Sequence, residues 1–258
     1  MAIIFFDVDG TIFDGDPRGV RDNVKNAIHE TEQKGNLCFL SSGRPWGFIS
    51  KQVKDIGFDG YVLANGAHVL YKNKNLSVHY LDADKMKEFI QYFDKRGFEY
   101  IIATPDGTYL KDGFDYLYNF YGTCNIDTHE FIREFDMDEV LKKCVKIEVY
   151  YKGPEEIPDL QELTKGYFFL DQGSTFVGEV SRSDVTKGTG IRETLDALHI
   201  PVEDSYCFGD GHNDVEMFKA VKHGIAMGNA VDEIKALATD ICGDVKDDGA
   251  ATKLRELF

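Results

Sequence analysis

Two aspartates, Asp7 and Asp9, stand two positions apart near the start of the chain. The apolar run Ile3-Ile4-Phe5-Phe6 precedes them and Gly10-Thr11 follows. In extended backbone a spacing of two turns both side chains to one side. Carboxylates held that close repel each other, so the pair calls for a cation, a shared proton or a solvated exit. Taken alone, Asp-x-Asp describes a solvated turn after a buried strand. Further groups downstream argue for more: Ser41 and Ser42, Lys187, and the cluster Asp210, Asn213 and Asp214. Several carboxylates, a hydroxyl and one ammonium suit a hard divalent cation that bridges protein carboxylates to a phosphate oxygen.

The elements that must position these groups follow from the hydrophobic pattern. Ile3–Phe6 reads as a strand buried on both faces. Val20, Val24, Ala27 and Ile28 recur at helical spacing, and Lys34-Gly35 closes that helix. Residues 37–40 predict a second buried strand, ending in Ser41-Ser42-Gly43-Arg44-Pro45, with a helix over 46–56. A third strand at 61–64 breaks at Asn65-Gly66, and segments 67–71 and 76–81 flank a polar turn as a hairpin. From 82 to 181 the pattern becomes a mixed helix and strand segment, whose helix carries Met86, Phe89, Ile90 and Phe93 as core. The opening pattern then resumes: a helix starts at Lys187-Gly188, and a strand at 206–208 ends in Gly209-Asp210-Gly211-His212-Asn213-Asp214. This alternation predicts an α/β fold, a doubly wound, Rossmann-like parallel sheet built from 1–81 and 182–258, with an α+β domain inserted at 82–181. In such sheets ligands gather at the carboxyl ends of the strands, where all three acidic or hydroxyl clusters fall.

Four runs, in order along the chain, resemble the motifs of the haloacid dehalogenase (HAD) superfamily, whose members mostly hydrolyse phosphate monoesters. Asp7-Val8-Asp9-Gly10-Thr11 is similar to the first motif, and Ser42 before Gly43-Arg44-Pro45 to the second, where relatives carry Thr. Lys187 in Lys-Gly-Thr-Gly resembles the third, and Gly209-Asp210-x-x-Asn213-Asp214 the fourth. The place of the insert, between the second and third motifs, is similar to the cap (type C2B) of the Cof-like type IIB branch. Ala64-Asn65-Gly66-Ala67 and Ala226-Met227-Gly228-Asn229-Ala230 resemble runs of that branch. The resemblance implies that Asp7 attacks phosphorus to form an aspartyl-phosphate and that Asp9 is the general acid and base. It implies Mg²⁺ held by Asp7, Asp210 and the backbone carbonyl of Asp9, with Asp214 orienting a water or another ligand. Ser42 and the amides near Gly43 would cradle phosphate, Lys187 would add fixed positive charge, and Asn213 would support these groups. Arg44 is either a phosphate or sugar ligand or a surface ion pair.

These implications describe a Mg²⁺-dependent phosphatase of small phosphorylated metabolites, sugar phosphates first, with specificity in the cap. A sugar phosphomutase uses similar motifs, but must retain and rebind its phosphorylated intermediate. A receiver-like phospho-acceptor switch is the rival from another class, and it explains neither the insert nor Asp9 beside Asp7. Composition agrees with a globular enzyme: 258 residues, 43% hydrophobic and 13% aromatic. A net charge of −16 argues against nucleic acid or an anionic membrane as partner. Five scattered cysteines without a Cys-x-x-Cys pair read as buried thiols in a reducing compartment. With no basic leader and no long apolar run, the expected location is cytoplasmic. The oligomeric state is not readable from the sequence, and a monomer is the expectation. His212 within the fourth motif reads as solvent-facing, Trp46 as a packing residue, and the turn carrying Asp171, Gln172 and Ser174 as an ordinary hairpin.

Overall fold

In a computed structural model, residues 1–16, 19–124 and 126–258 of the chain are described. The first half begins β1 (Ile3–Phe6), α1 (Asp22–Gln33), β2 (Leu37–Ser41), α2 (Lys51–Lys54), β3 (Gly60–Leu63), β4 (His68–Tyr71) and β5 (Lys74–Val78). It continues α3 (Ala83–Arg96), β6 (Glu99–Thr104), β7 (Gly107–Leu110), α4 (Asp115–Thr123), α5 (Met137–Leu141), β8 (Lys146–Tyr150), α6 (Ile157–Leu163), β9 (Tyr167–Asp171) and β10 (Val177–Arg182). The chain ends α7 (Lys187–Leu198), β11 (Ser205–Gly209), α8 (Val215–Phe218), β12 (His223–Ala226), α9 (Asp232–Leu237), β13 (Asp240–Ile241) and α10 (Gly249–Leu257). Two compact units result: 1–43, 51–77 and 185–258 in the first, 44–50 and 78–184 in the second.

The first unit is the α/β sheet that the alternation predicts, in the order β13-β12-β11-β1-β2-β3-β4-β5. All four residues of β1 are buried, as a central strand covered on both faces requires. Parallel pairing sets Phe6 beside Phe208 and Leu40, and Phe5 beside Cys207 and Phe39. The Phe6 and Phe208 rings stack at 5.2 Å, and each fully buried ring contributes roughly 2–3 kcal/mol of burial. The register also sets the carboxyl ends of β1, β2 and β11 side by side. β4 runs antiparallel to its neighbour β3 and meets β5 through Lys72-Asn73. Both turn residues have positive φ (48° and 61°), the type I′ geometry that suits the twist of a two-residue hairpin.

The second unit is an antiparallel sheet in the order β7-β6-β8-β10-β9. One face packs on α3, where Met86, Phe89, Ile90 and Phe93 meet Tyr100, Ile147, Val149 and Val180. Asp82 caps that helix by accepting from the Lys85 amide at 2.9 Å, and Gly97 ends it in the left-handed region. The other face carries Ile101, Leu110 and Val177 beneath Leu117 and Tyr121 of α4. Phe48 joins this cluster, its ring 4.5 Å from Tyr121 and 5.9 Å from Phe131. That packing explains a departure from the expected helix over 46–56. A 3₁₀ turn at Trp46–Phe48 and the short α2 take its place, because tertiary contacts outweigh local propensity. The division at 78–184 plus 44–50 also differs in extent from the insert read from the pattern at 82–181. This architecture, a Rossmann-like sheet interrupted by an α+β unit, is the one the sequence predicts.

Candidate active site

At the end of β1 the Val8 carbonyl accepts from the amides of Thr11, Ile12 and Phe13 at 3.2, 3.1 and 2.9 Å, and the chain turns away. Gly10 makes this turn at φ 84°. A Cβ there would lie 2.1 Å from an Asp210 carboxylate oxygen, so the position needs glycine for conformation and for space. The turn leaves Asp7 buried and Asp9 exposed. From the end of β11 come Asp210 and Asp214, and ligand oxygens of Asp7, Asp210 and Asp214 all lie within 4.8 Å of one another.

Lys187 is the ammonium at the centre of this group. It opens α7, whose N-cap Thr186 forms a reciprocal capping box with Thr189. Gly66 lets the helix start approach, since a Cβ on it would sit 2.1 Å from the Thr186 carbonyl oxygen. Lys187 Nζ donates to Asp7 Oδ1 at 2.5 Å and to Asp214 Oδ1 at 2.7 Å. The second oxygen of Asp214 accepts from the amides of Asp210 and Gly211 at 2.9 and 3.1 Å. Asp214, fully buried, therefore has both oxygens engaged and fixes Lys187 and the Asp210 loop together.

Burial and the Asp214 charge push the Asp7 carboxyl up to about 7, against the opposing pull of Lys187. Burial and Asp214 likewise push Asp210 up to about 6, moderated by a 3.2 Å hydrogen bond from Thr11 Oγ1. Burial alone would depress Lys187, but the charges of Asp214 and Asp7 outweigh it and hold the ammonium above its usual range. Three carboxylates against one ammonium leave the group electron-rich. Oxygen donors with an excess of negative charge, two of them reluctant to ionise unaided, match a hard divalent cation.

Of the other residues the sequence singles out, Ser42 is buried where β2 ends, its amide donating to the Val62 carbonyl at 2.8 Å. Gly43 follows it, packed against the Asn65 side chain. Arg44 falls in the second unit and donates to the Phe48 carbonyl at 3.4 Å. Asn213 is exposed beside Gly211. His212 is also exposed and pairs with Glu233 at 2.7 Å, and Asp171 accepts from the Gly173 amide within its hairpin turn.

One residue without an assigned role enters the site. Asn229 Nδ2 donates to the Gly10 carbonyl at 2.8 Å and to Asp210 Oδ2 at 3.4 Å, and its Oδ1 accepts from the Val245 amide at 2.9 Å. It ties the turn after Asp9 to Asp210. Its signal in the sequence is an amide residue just past a strand, in Gly228-Asn229. Among the described residues no helix is long and apolar enough to cross a membrane.

Residues 4–254 match the family model of the haloacid dehalogenase-like hydrolases. The putative phosphatase YkrA of Bacillus subtilis is 26% identical over 99% of this chain and 97% of its own length. From the same organism, YitU, a 5-amino-6-(5-phospho-D-ribitylamino)uracil phosphatase, is 24% identical, again over 99% and 97%. The solved HAD subclass IIB sugar phosphatase BT4131 superimposes with a TM-score of 0.79 at 21% identity, covering 100% of this chain and 99% of that one. An aspartate cluster at the carboxyl ends of a Rossmann-like sheet, an inserted cap of the IIB type and a family match over nearly the whole chain agree. The chain belongs to the haloacid dehalogenase-like hydrolases, as a phosphoric monoester hydrolase with the type IIB architecture.

Proposed function

We propose that this protein is a Mg²⁺-dependent phosphatase of small, hydroxyl-rich phosphate monoesters, sugar phosphates among them, acting through an aspartyl-phosphate on Asp7. The observation that carries the reading is Asp7 itself, buried at the end of β1 between Lys187 and two further carboxylates. The Lys187 bond holds one Asp7 oxygen, which leaves the other to attack phosphorus in line with the departing alkoxide. Lys187 also offsets charge that builds on the transferring group. Asp9, exposed at the turn, would protonate the leaving oxygen and then take a proton from the water that cleaves the acyl phosphate. Ser42 and the Gly43 amide would bind phosphate oxygens, with Arg44 and Asn213 as further contacts.

Asp7, Asp210 and the backbone carbonyl of Asp9 would hold Mg²⁺, with Asp214 acting through Lys187 and the Asp210 amide that it binds. When bound, the ion neutralises the carboxylates enough for a phosphate dianion to approach. The substrate class rests on the names of relatives, since BT4131 is a sugar phosphatase and YitU acts on a ribityl phosphate. A screen of phosphorylated metabolites with Mg²⁺, scored by release of inorganic phosphate, tests the reading. Repeated turnover of at least one polyol phosphate is expected. Stoichiometric phosphorylation without release would overturn it.

A further inference from the structure

Among the described strands of the second unit, only β9 has no buried residue, whereas β6, β8 and β10 each bury all but one. It closes one side of the sheet, with β10 as its neighbour and no strand beyond it among the described residues. The ladder to β10 runs without a bulge, from Asp171 opposite Gly178 to Tyr167 opposite Arg182. Sheet edges ordinarily carry a lysine, a proline or a bulge that discourages a further strand. Tyr167-Phe168-Phe169-Leu170-Asp171 has none of these. Its side chains are instead apolar and uncovered: Phe168 is 45% exposed and Leu170 44%.

The direction of the backbone groups follows from the ladder. The Gln172 amide donates to the Val177 carbonyl at 3.0 Å, so Leu170 and Phe168, at steps of two, also turn their amides and carbonyls toward β10. Tyr167, Phe169 and Asp171 turn theirs outward. The Tyr167 amide donates to the Thr164 carbonyl at 2.8 Å. The Tyr167 carbonyl, both groups of Phe169 and both of Asp171 are left facing off the edge.

Two such edges fit each other. Placed antiparallel about a two-fold axis at Phe169, the two Phe169 residues exchange a pair of hydrogen bonds, and each Asp171 amide meets the Tyr167 carbonyl of the other copy. On the exposed face Phe168 of one copy then lies opposite Leu170 of the other, twice over. That covers both apolar side chains and sets no charge against a like charge. The one charge on the strand, Asp171, is held within its own copy by the Tyr151 hydroxyl and the Gly173 amide. A slip of two residues would instead set Phe168 against Gln172 or Leu170 against Gly166. The pattern is its own complement when read about Phe169, which points to a second copy over an unrelated strand.

We propose that the β9 edge is a self-association surface, through which two copies of this chain pair β9 antiparallel and join their sheets into one. Five residues a side are far fewer than the roughly 20–30 of a standard interface, so the pairing is weak, with a dissociation constant on the order of 10–100 µM. The net charge of −16 on each copy acts in the same direction. The monomer expected from the sequence is then the form at low concentration.

Sedimentation velocity of the full chain from about 5 to about 500 µM tests the pairing. The wild type should pass from 29.2 kDa toward twice that mass, and a 29.2 kDa species throughout would overturn the proposal. Phe168→Glu and Leu170→Glu should each weaken association by about tenfold or more. Ile241→Lys, at a comparably exposed apolar site on the edge strand of the first unit's sheet, should leave it unchanged. An equal loss in Ile241→Lys, or no loss in the β9 variants, would put the contact elsewhere and overturn the β9 assignment. Double variants read the register. With Phe168→Lys and Leu170→Glu together, opposite charges face each other across the axis. With Phe168→Glu and Leu170→Glu, or with Phe168→Lys and Leu170→Lys, like charges do. The mixed variant should associate about tenfold more tightly than either like-charged one, although the two lysines lower the net negative charge. A mixed variant no tighter than these would exclude the antiparallel pairing about Phe169.

Discussion

Asp7 is buried against Lys187, while Asp9, one residue removed, is exposed. The first suits attack and the second suits proton transfer with a solvated partner. Asp7→Asn should therefore abolish phosphoryl-enzyme formation from every ester. Asp9→Asn should spare the nucleophile and lose the proton donor, at a cost that depends on the leaving group. Rapid acid quench of the first turnover should show a loss of about 10²–10⁴-fold for an alkyl phosphate and far less for nitrophenyl phosphate. Equal slowing of both would remove Asp9 as the acid. Asn229 acts one step further out, through the Gly10 carbonyl and Asp210. Asn229→Ala should weaken Mg²⁺ binding by about tenfold in calorimetry, the scale of losing a group that orients a ligand. Unchanged Mg²⁺ affinity would reduce Asn229 to a tie for the 245 loop.

The start of α7 places the ammonium, and its position depends on Gly66. In Gly66→Ala the new Cβ would meet the Thr186 carbonyl oxygen at 2.1 Å, at a φ of +95°. Strain and overpacking together should cost about 2–4 kcal/mol and reduce turnover by moving Lys187. Gly57→Ala is the control, because φ is +80° there and nothing lies within 4 Å of the new atom. Only the conformational cost of about 1 kcal/mol should remain, with activity intact. If urea midpoints fall equally in the two variants, close packing at Gly66 is not what seats the helix. At the other end of the sheet, α1 delivers Glu32 beside Asp59. Burial and the Asp59 charge push its carboxyl from 4.5 up to about 7. Glu32 thus holds its proton more tightly folded than unfolded, so its contribution to stability is lost as pH rises from about 4.5 to about 7. Glu32→Gln should add about 1 kcal/mol above that window, a figure discounted because the group is only half buried, and nothing below it. Denaturation midpoints at both pH values decide it, and equal gains at both would break the argument.

For the molecule as a whole, three carboxylates concentrated in one site of a chain with net charge −16 would, on the proposed Mg²⁺ reading, link folding to metal binding. Saturating Mg²⁺ should raise the melting temperature by about 5–10 °C, more than sodium chloride at equal ionic strength. Asp210→Asn should remove most of that increment. Ca²⁺ should also stabilise the fold, but its looser coordination can take both Asp7 oxygens and so suppress turnover. Full activity in Ca²⁺, with Mg²⁺ rigorously excluded, would contradict a nucleophile that depends on one free oxygen.

Much of this protein is written locally. The apolar run before Asp7-Val8-Asp9, the glycine after it and the helix start at Lys187 are short-range signals. Alternation in strands, capping and turn chemistry act over two to four residues, so the order of strands and helices and the four motifs could be read without coordinates. What joins distant segments could not. Asn229 reaches Gly10 across 219 positions, and only the neighbouring of β1, β11 and β12 brings them together. Phe48 left its predicted helix because a cluster of rings from 121 and 131 offered more burial than one further turn could. Lys146, Glu148 and Glu179 look in sequence like ordinary charges on a solvated strand face. Their burial exists only because antiparallel register sets β8 against β10 and α4 closes over that face. Spacing determines which groups can act, and the pairing of remote strands decides which of them meet.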